Sequence, residues 1–236
     1  MSEKAFQFKE FKIEQDRCAM KIGTDGVLLG AWASLEQEPD SILDIGTGTG
    51  LIALMLAQRS PALLIDALEI DEDAVDNFEQ STWGDRLFCY HAAFEEFVEE
   101  MQDEDKYELI ISNPPFYAED YTSESASRNK ARFAEALPFS ELLEGVSKLL
   151  HPDGEFNTII PHKEEKDFLA LASEFGLFPK KITRVRGNET SAIKRSLLSF
   201  SFKEIELQEN ELIIEISRHN YTEAYKKLVK DFYLKL

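Results

Sequence analysis

The sequence predicts an α/β fold built on a doubly wound sheet that is mostly parallel, with an antiparallel carboxyl-terminal edge. Three observations predict it: short apolar runs alternate with helical patterns, a glycine-rich turn follows the first buried run, and three β-like runs with short connections come late in the chain. Parallel strands need long crossovers, so the late runs cannot all be parallel. No linker or repeat divides the 236 residues, so one domain over 1–236 is expected.

The first predicted elements precede the glycine-rich turn and form an amino-terminal extension over residues 1–35. Spaced apolar side chains at Phe6, Phe8, Phe11 and Ile13 predict a small strand pair. Either of two polar residues then starts a short helix that covers a cofactor pocket, and these residues are Thr24 and Asp25. The remaining residues, 36–236, are expected to form the catalytic core.

Five apolar runs predict the parallel strands, and the periodic segments between them predict helices. The strands lie near 41–45, 63–69, 86–91, 107–112 and 154–160. The helices lie at 51–59, 72–80, 94–101, 138–150 and 163–175, with Asp71 as a cap and Pro138 in a first turn. The late β-like runs are 179–186, 195–203 and 211–217. The polar segment 117–137 is expected to be a loop that can act as a lid.

The glycine-rich turn follows the run Leu43-Asp44-Ile45, and Gly46, Gly48 and Gly50 alternate in it with threonines. Because they lack a Cβ atom, these glycines let the backbone approach a ligand at the carboxyl end of a parallel sheet. The main alternative is the dinucleotide-binding fingerprint. That motif needs a third glycine three residues after the second, and Leu51 occupies that position.

Two acidic residues near this turn indicate which ligand it binds. Asp44 stands two residues before the first glycine, where a carboxylate repels a pyrophosphate and suits the ammonium and sulfonium groups of S-adenosylmethionine. Glu69 ends the next apolar run, where it can accept hydrogen bonds from ribose hydroxyls. The two acids favour a nucleoside cofactor with a cationic end. The structural alternative is a tight turn between a strand and a helix.

The tetrapeptide Asn113-Pro114-Pro115-Phe116 follows the apolar run 109–112 and is a candidate reaction centre. An exocyclic amine on a nucleobase is a poor nucleophile because its lone pair is delocalised into the ring. The Asn113 side-chain oxygen and the Pro114 carbonyl can each accept one amine hydrogen, and consecutive prolines keep the turn stiff. Phe116 offers a face on which a flipped base can stack. The structural alternative is a proline-rich turn that only ends a strand.

Composition limits the other functions. The formal charge of −19 argues against a general nucleic-acid binder. Cys18 and Cys89 show no paired spacing, which fits a reducing compartment, and the scattered histidines predict no metal site. Those histidines are His91, His151, His162 and His219. Because no apolar run approaches the length of a bilayer span, a cytoplasmic protein with no membrane partner is expected.

Basic residues nevertheless cluster in two places that can contact RNA. One stretch, opposed only by Glu189, contains Lys180, Lys181, Arg184, Arg186, Lys194 and Arg195. The second cluster follows the proline-rich turn and contains Arg128, Lys130 and Arg132. Acids concentrate at 95–105 and 204–211, which are expected to form solvated faces remote from RNA. A solvated strand surface is the alternative for the basic stretch, and the basic loop beside the candidate reaction centre favours RNA contact.

On these residues the chain resembles the bacterial adenine-N6 methyltransferases that modify the valine tRNA next to its anticodon. The stretch Asp16 to Ala33 looks like the amino-terminal signature of that family, and Asn220 to Tyr225 followed by Phe232 to Leu234 is similar to its carboxyl-terminal helix. The glycine and Asn-Pro-Pro motifs are shared with many amino-methyltransferases. The terminal signatures are more specific, and the resemblance runs nearly end to end.

The resemblance implies a class I methyltransferase fold, which is Rossmann-like. It implies S-adenosylmethionine as the methyl donor, S-adenosylhomocysteine as the product and the 6-amino group of adenosine in a tRNA anticodon loop as the acceptor. It also implies that the segment Lys21 to Gly26, which includes Thr24 and Asp25, helps to close the methionine end of the donor pocket. Neither a metal nor an obligate protein partner is expected.

Two positions depart from the pattern of related enzymes. An aspartate that commonly contacts the cofactor's adenine is absent from Ala92-Ala93-Phe94, so that contact has to come from backbone near Phe94 or be absent. Phe116 stands where many adenine-specific relatives have tyrosine, and phenylalanine also occurs in guanine-modifying rRNA enzymes. Guanine N2 methylation of rRNA therefore stays open, as do methylation of a protein glutamine and a non-catalytic role as a sensor or chaperone that binds S-adenosylmethionine or RNA.

Overall fold

The structure is a computed structural model that describes residues 5–14, 22–70, 75–115 and 137–235. Its strands are β1 (Ala5–Gln7), β2 (Lys12–Glu14), β3 (Ser41–Ile45), β4 (Leu64–Glu69), β5 (Leu87–His91), β6 (Tyr107–Ser112), β7 (Leu150–Pro161), β8 (Phe178–Arg186), β9 (Ile193–Ser201), β10 (Gln208–Ile213), β11 (Glu215–Ser217) and β12 (Asn220–Tyr221). Its helices are α1 (Thr24–Trp32), α2 (Leu51–Arg59), α3 (Val75–Glu79), α4 (Phe94–Met101), α5 (Phe139–Leu149), α6 (Glu165–Glu174) and α7 (Glu223–Val229). A 3₁₀ turn, His162–Glu164, joins β7 to α6.

Within the described ranges, eight strands form one sheet in the order β10-β8-β9-β7-β6-β3-β4-β5. Strands β3 to β7 run parallel, and β9 runs antiparallel to both β7 and β8. The predicted mixed sheet with an antiparallel edge is therefore confirmed. The predicted strand 211–217 is instead divided between β10 and β11, and β10 pairs in parallel with β8. Strand β9 ends at the side of the sheet where the parallel strands begin. A short connection, 202–207, leads from there into β10, so β10 runs in the same direction as β8.

The strand order places a topological switch point between β3 and β6. From β3 the chain adds β4 and β5 on one side of the sheet, and then returns to add β6 and β7 on the other side. Ligands of open α/β sheets bind in the crevice outside the carboxyl ends of strands at such a point. We call the side formed by the carboxyl ends of β3, β4, β6 and β7 the carboxyl edge. The glycine-rich turn and Asn113 both lie there.

Alternation along the strands sorts side chains to the two faces of the sheet. Ile42, Ile65 and Ile111 belong to the core under α1 and α2. Leu43 and Ile110 belong to the opposite core, which α4, α5 and α6 cover. Because side chains alternate with a period of two, Asp44 follows Ile42 and Asn113 follows Ile111 onto the α1 face. The two candidate polar side chains therefore share one face of the sheet.

The local predictions agree with most element boundaries. Strands β1 and β2 form the predicted pair, which is antiparallel, and α1 begins at Thr24. Gly23 is the residue before α1, and it provides no side-chain cap. Pro138 precedes α5 as its N-cap residue instead of lying in the first turn. Asp71 lies outside the described residues.

Gly50 is the position where backbone and packing both require glycine. Its φ is +79°, and a Cβ atom there would lie 2.4 Å from Cε1 of Phe78 on α3. Gly176 has a similar φ of +73°, but a Cβ atom there would have nothing within 4 Å. Replacing Gly176 therefore tests the free-energy cost of a left-handed backbone alone, whereas replacing Gly50 adds the cost of a steric clash with Phe78.

We expect Gly50→Ala to lower the free energy of unfolding far more than Gly176→Ala, as measured by urea denaturation. Gly176→Ala should cost about 1–2 kcal/mol because only the left-handed backbone is disfavoured. Gly50→Ala should cost a further 1–3 kcal/mol or so because Phe78 must move. Equal losses in the two variants would contradict the contact between Gly50 and Phe78.

Candidate functional site

The turn after β3 is a glycine loop held against the end of β4. The backbone amides of Gly46 and Thr47 donate to the Leu68 carbonyl at 2.9 and 3.0 Å. Gly46 and Gly48 have left-handed φ values of +68° and +58°, and a Cβ atom at either position would have no described residue within 4 Å. The loop therefore presents backbone with open space above it, which is what close approach of a ligand requires.

Asp44 lies beneath this loop and is fully buried. Its Oδ2 accepts hydrogen bonds from Thr47 Oγ1 at 2.6 Å and from the Ala53 amide at 3.2 Å. Its Oδ1 is also buried and has no hydrogen-bond partner among the described residues. Burial raises the pKa of this carboxyl to about 7; the Thr47 and Ala53 hydrogen bonds oppose the rise, and the charge of Glu69 adds to it. A cation beside Oδ1 would stabilise the ionised form.

Glu69 is fixed at the end of β4 by two backbone amides. Its Oε2 accepts from Gly48 at 2.7 Å, and its Oε1 accepts from Ile70 at 2.8 Å. The first of these bonds joins the carboxylate directly to the glycine loop. Glu69 is therefore oriented at the rim of the carboxyl edge, where a carboxylate can still accept hydrogen bonds through its remaining lone pairs.

Asn113 directly follows β6, whose last residue, Ser112, donates from its hydroxyl to the Ile45 carbonyl at 3.0 Å. The Asn113 Oδ1 is buried and has no hydrogen-bond partner among the described residues. A Cβ atom at Gly26 of α1 would lie 3.9 Å from Asn113 Nδ2 and 3.0 Å from Leu51 Cδ2. Glycine at position 26 thus lets α1 pack closely against the Asn113 amide. Pro114 continues the turn and is buried.

An ion pair fixes the first turn of α1. Arg195 Nε on β9 donates to Asp25 Oδ2 at 2.7 Å, and both side chains are largely shielded from solvent. The sequence assigned Asp25 to the cofactor and Arg195 to RNA. The structure brings these two side chains together, and their ion pair ties α1 to the sheet beside Gly26.

Phe94 begins α4 after β5, and its ring belongs to the core. Its side chain is buried, and a Cβ atom at Gly145 of α5 would lie 2.4 Å from Phe94 Cε1. The ring therefore packs against α5. What this position offers to a ligand at the carboxyl edge is the backbone amide at the start of α4.

Most of the predicted basic stretch is paired with carboxylates of the protein itself. Lys180 bonds to Glu155, Arg184 to Glu165 and Glu209, Arg186 to Glu211, and Arg195 to Asp25. Lys181 Nζ lies 4.8 Å from the centroid of the Trp32 ring. Lys194 is exposed and forms no ion pair within the described ranges. The acidic run 204–211 is exposed to solvent as predicted, and the β8–β10 pairing brings Glu209 and Glu211 beside Arg184 and Arg186.

Several predicted site residues fall outside the described residues. They are Lys21, Phe116, Arg128, Lys130 and Arg132. Among the described helices none has the length and apolar character needed to span a membrane. The described ranges also contain no group of three or more side chains arranged to hold a metal ion.

Sequence reasoning missed two sets of partners. Thr47 anchors Asp44, and the only signal for it is a hydroxyl three residues after the acid. At the carboxyl edge, Glu165 contacts His162, Ser196 and Arg184. No spacing in the sequence reveals this second set, because Ser196 and Arg184 belong to different strands from the turn that carries His162.

The strand order with its antiparallel β9, together with the glycine loop and the two acids, defines a class I methyltransferase. Solved structures share this fold. A predicted O-methyltransferase from Agrobacterium tumefaciens superposes with a TM-score of 0.66 at 16% identity, covering 88% of this chain and 96% of that one. A ribosomal protein L11 methylase from Lactobacillus delbrueckii subsp. bulgaricus gives 0.56 at 14% identity, covering 81% and 84%.

The sequence relatives narrow the class to a family. The model of the methyltransferase small domain matches residues 26–188. Proteins named tRNA1(Val) (adenine(37)-N6)-methyltransferase are 67% identical in Christiangramia forsetii, over the full length of both chains, and 59% identical in Flavobacterium johnsoniae, over 98% of this chain and 100% of that one. One from Bacteroides fragilis is 44% identical over the full length of both chains. The chain belongs to the tRNA1(Val) (adenine(37)-N6)-methyltransferase family.

The raised pKa of Asp44 predicts how stability depends on pH. The pKa of this carboxyl is near 4 in the unfolded chain and about 7 in the folded protein. The folded state therefore binds the proton more tightly, and this stabilises the protein fully below pH 4. The stabilisation is lost as the pH rises from 4 to about 7. We expect the wild-type free energy of unfolding, relative to Asp44→Asn, to fall by up to about 4 kcal/mol over that range.

Urea denaturation of both proteins between pH 4 and 8 measures this difference. Asparagine keeps an oxygen that can accept from Thr47 and Ala53, and the subtraction removes the titration of the other carboxyls. A difference that stays constant across the range would show that Asp44 does not titrate as the buried geometry requires.

Proposed function

We propose that this protein transfers the methyl group of S-adenosylmethionine to the 6-amino group of adenosine 37 in tRNA1(Val). The observation that carries the proposal is a pair of buried acceptors without partners among the described residues, Asp44 Oδ1 and Asn113 Oδ1. Asp44 lies near the end of β3, and Asn113 directly follows the neighbouring strand β6 on the same face of the sheet. One can serve the cationic donor and the other the amine that is methylated. The family relationship supports the same reaction.

The donor is proposed to lie over the glycine loop. A buried carboxylate with one free oxygen fits an ammonium or sulfonium group, because nearby positive charge offsets the cost of burying the anion. The open backbone at Gly46 and Gly48 accommodates close approach, and Glu69 is placed to accept from ribose hydroxyls. When bound, S-adenosylmethionine would supply an electrophilic methyl group. We assign Thr24, Asp25 and Gly26, with Lys21, to closing the methionine end, and the Phe94 amide to the adenine end.

The acceptor amine is proposed to bind at Asn113 and Pro114. Two carbonyl oxygens accepting its two hydrogens favour a tetrahedral nitrogen and stabilise the positive charge that develops on it. Consecutive prolines at positions 114 and 115 fix the φ angles of the turn, so the Pro114 carbonyl is held stiffly. We assign Phe116 to stacking on the flipped base. The product cation is acidic, so no general base is needed for the transfer itself.

The RNA is proposed to approach the carboxyl edge. We also propose that the enzyme acts in the cytoplasm, where tRNA is found. Lys194 is available for phosphate contact, and Glu209 and Glu211 are partly exposed partners of Arg184 and Arg186. Exposed ion pairs are worth only about 0–1 kcal/mol, so a phosphate can replace a carboxylate at small cost. We assign Arg195, Arg128, Lys130 and Arg132 to the same surface. Lys180 and Lys181 lie toward the amino ends of the parallel strands, where Lys180 pairs with Glu155 and Lys181 contacts Trp32 at the end of α1, so they are not included in it.

We expect the wild type to convert adenosine to N6-methyladenosine in unmodified tRNA. Asn113→Ala should lower turnover by at least about a hundredfold, because removing one preorganised contact to developing charge slows a reaction by about 10²–10³. The affinity for the donor should change little. The measurement is transfer of a labelled methyl group, followed by nucleoside digestion and mass spectrometry. Calorimetry with S-adenosylmethionine measures donor affinity. Asn210→Ala, which removes an exposed asparagine from β10, is the matched control and should retain full activity.

Each alternative has its own outcome. N2-methylguanosine in rRNA, or methylglutamine in protein, would replace the adenine assignment with another amine of the same chemistry. Donor binding without transfer to any of these acceptors would indicate a sensor or chaperone. Unchanged turnover in Asn113→Ala would remove Asn113 from the reaction.

A further inference from the structure

The turn between β7 and α6 carries a buried ionic cluster at the carboxyl edge. Glu165 is 7% exposed. Its carboxylate accepts from Arg184 Nε at 3.0 and 3.1 Å, from Arg184 Nη2 at 2.6 Å, and from the Ser196 hydroxyl. Arg184 and Ser196 thus compensate the charge of Glu165 and hold its position.

His162 is oriented by this cluster. Its Nδ1 lies 3.1 Å from Glu165 Oε2 and 3.0 Å from Ser196 Oγ. The Ser196 hydroxyl hydrogen is already donated to Glu165, so both neighbouring oxygens can only accept from the ring. Nδ1 therefore carries the hydrogen, and in the neutral ring Nε2 carries the lone pair. The tautomer and the orientation of the imidazole are both fixed.

The other ring nitrogen is unused within the described part of the chain. No hydrogen bond joins Nε2 to a described residue, and 35% of the side chain is exposed. Because Arg184 and Ser196 already satisfy Glu165, compensation of a buried charge does not explain a partly exposed imidazole at this position. The cluster instead presents a hydrogen-bond acceptor to solvent at a defined place.

That place lies on the same carboxyl edge as the proposed reaction centre, on the side of the sheet that α5 and α6 cover, because Ser196 pairs with Ile160 of that core. Strands β6 and β7 are parallel neighbours, and Ser112 pairs with Thr158. Asn113 is therefore level with Ile159, three residues before His162. With strands about 4.8 Å apart and about 3.3 Å per residue, the His162 backbone lies roughly 11 Å from that of Asn113. An RNA whose target base reached Asn113 would have its neighbouring backbone at this distance.

We propose that Nε2 of His162 accepts a hydrogen bond from a ribose 2′-hydroxyl of the RNA at or beside the methylated nucleotide. The 2′-hydroxyl is the donor that distinguishes RNA from DNA. His162 then determines specificity for a ribose backbone, and Glu165, Ser196 and Arg184 are positioning residues that hold its acceptor outward. The inference rests on the proposed function, because it requires RNA at Asn113.

Full-length tRNA with single 2′-deoxy substitutions tests the contact. The substitutions are placed at the target nucleotide and at each flanking nucleotide, and kcat/KM is compared with that of the all-ribose tRNA. Wild type should lose roughly two- to tenfold at one of these positions, the size expected for one hydrogen bond. His162→Ala should lose the same factor on all-ribose tRNA and no more on the deoxy substrate.

Two further variants separate contact from fold. His162→Asn can keep a donor near the Nδ1 position for Glu165 but lacks the Nε2 acceptor, so it should be as insensitive to the deoxy substitution as His162→Ala. His151 lies at the amino end of the same strand, where its Nδ1 accepts from the Asp153 amide at 3.1 Å. His151→Ala is the matched control and should keep the wild-type rate and deoxy sensitivity.

The outcomes distinguish this inference from the proposed function. Equal wild-type rates on all-ribose and deoxy substrates would overturn the inference alone. Equal deoxy sensitivity in wild type and His162→Asn would also overturn it, because the sensitivity would then arise elsewhere. Absence of wild-type methylation of the all-ribose tRNA would overturn the proposed function and this inference with it.

Discussion

A buried carboxylate, Asp44, one oxygen of which has no hydrogen-bond partner among the described residues, is the constraint around which the site is arranged. An ionised carboxylate in the core is costly unless it is paired, and here Thr47 and Ala53 satisfy only one of its oxygens. The remaining cost appears as a pKa raised to about 7, mainly by burial. Such a group is stabilised by a cation, so the free protein holds an unsatisfied charge site of the kind that a sulfonium or ammonium ligand completes.

Helix α1 connects this site to the acceptor turn. Its Gly26 lies against both Leu51, which begins α2 after the glycine loop, and the Asn113 amide. The ion pair between Asp25 and Arg195 joins the same turn of the helix to β9. One helix therefore packs against both the start of α2 and the Asn113 amide, and it adds to the β3–β6 pairing that already fixes Asp44 and Asn113 relative to each other. This is the precision that in-line transfer between two bound groups requires.

The sequence predicted what local patterns encode. The strands β3 to β6, the glycine loop, the helices α2 and α4 and the position of Asn113 follow from periodicity, glycine spacing and proline chemistry, all of which act within a few residues. It could not predict which charges meet across the sheet. Arg184 and Arg186 suggested a free basic surface because Glu209 and Glu211 lie 25 residues away in the chain and reach them only through the parallel pairing of β10 with β8. The proposed role of His162 could not be predicted either, because the orientation of its ring depends on Ser196, which lies on another strand, β9.

This pairing of charges bears on how an acidic protein can act on RNA. A chain with a formal charge of −19 gains little from long-range attraction to a polyanion, and the cations of its basic stretch are largely neutralised by its own carboxylates. Selection of the RNA must then depend on contacts made at close range, where partners are exchanged and hydrogen bonds to bases and riboses are formed. The His162 imidazole and the Asn113 and Pro114 carbonyl oxygens are proposed to act in this way, because each would accept a hydrogen bond from a particular donor and none of them depends on net charge.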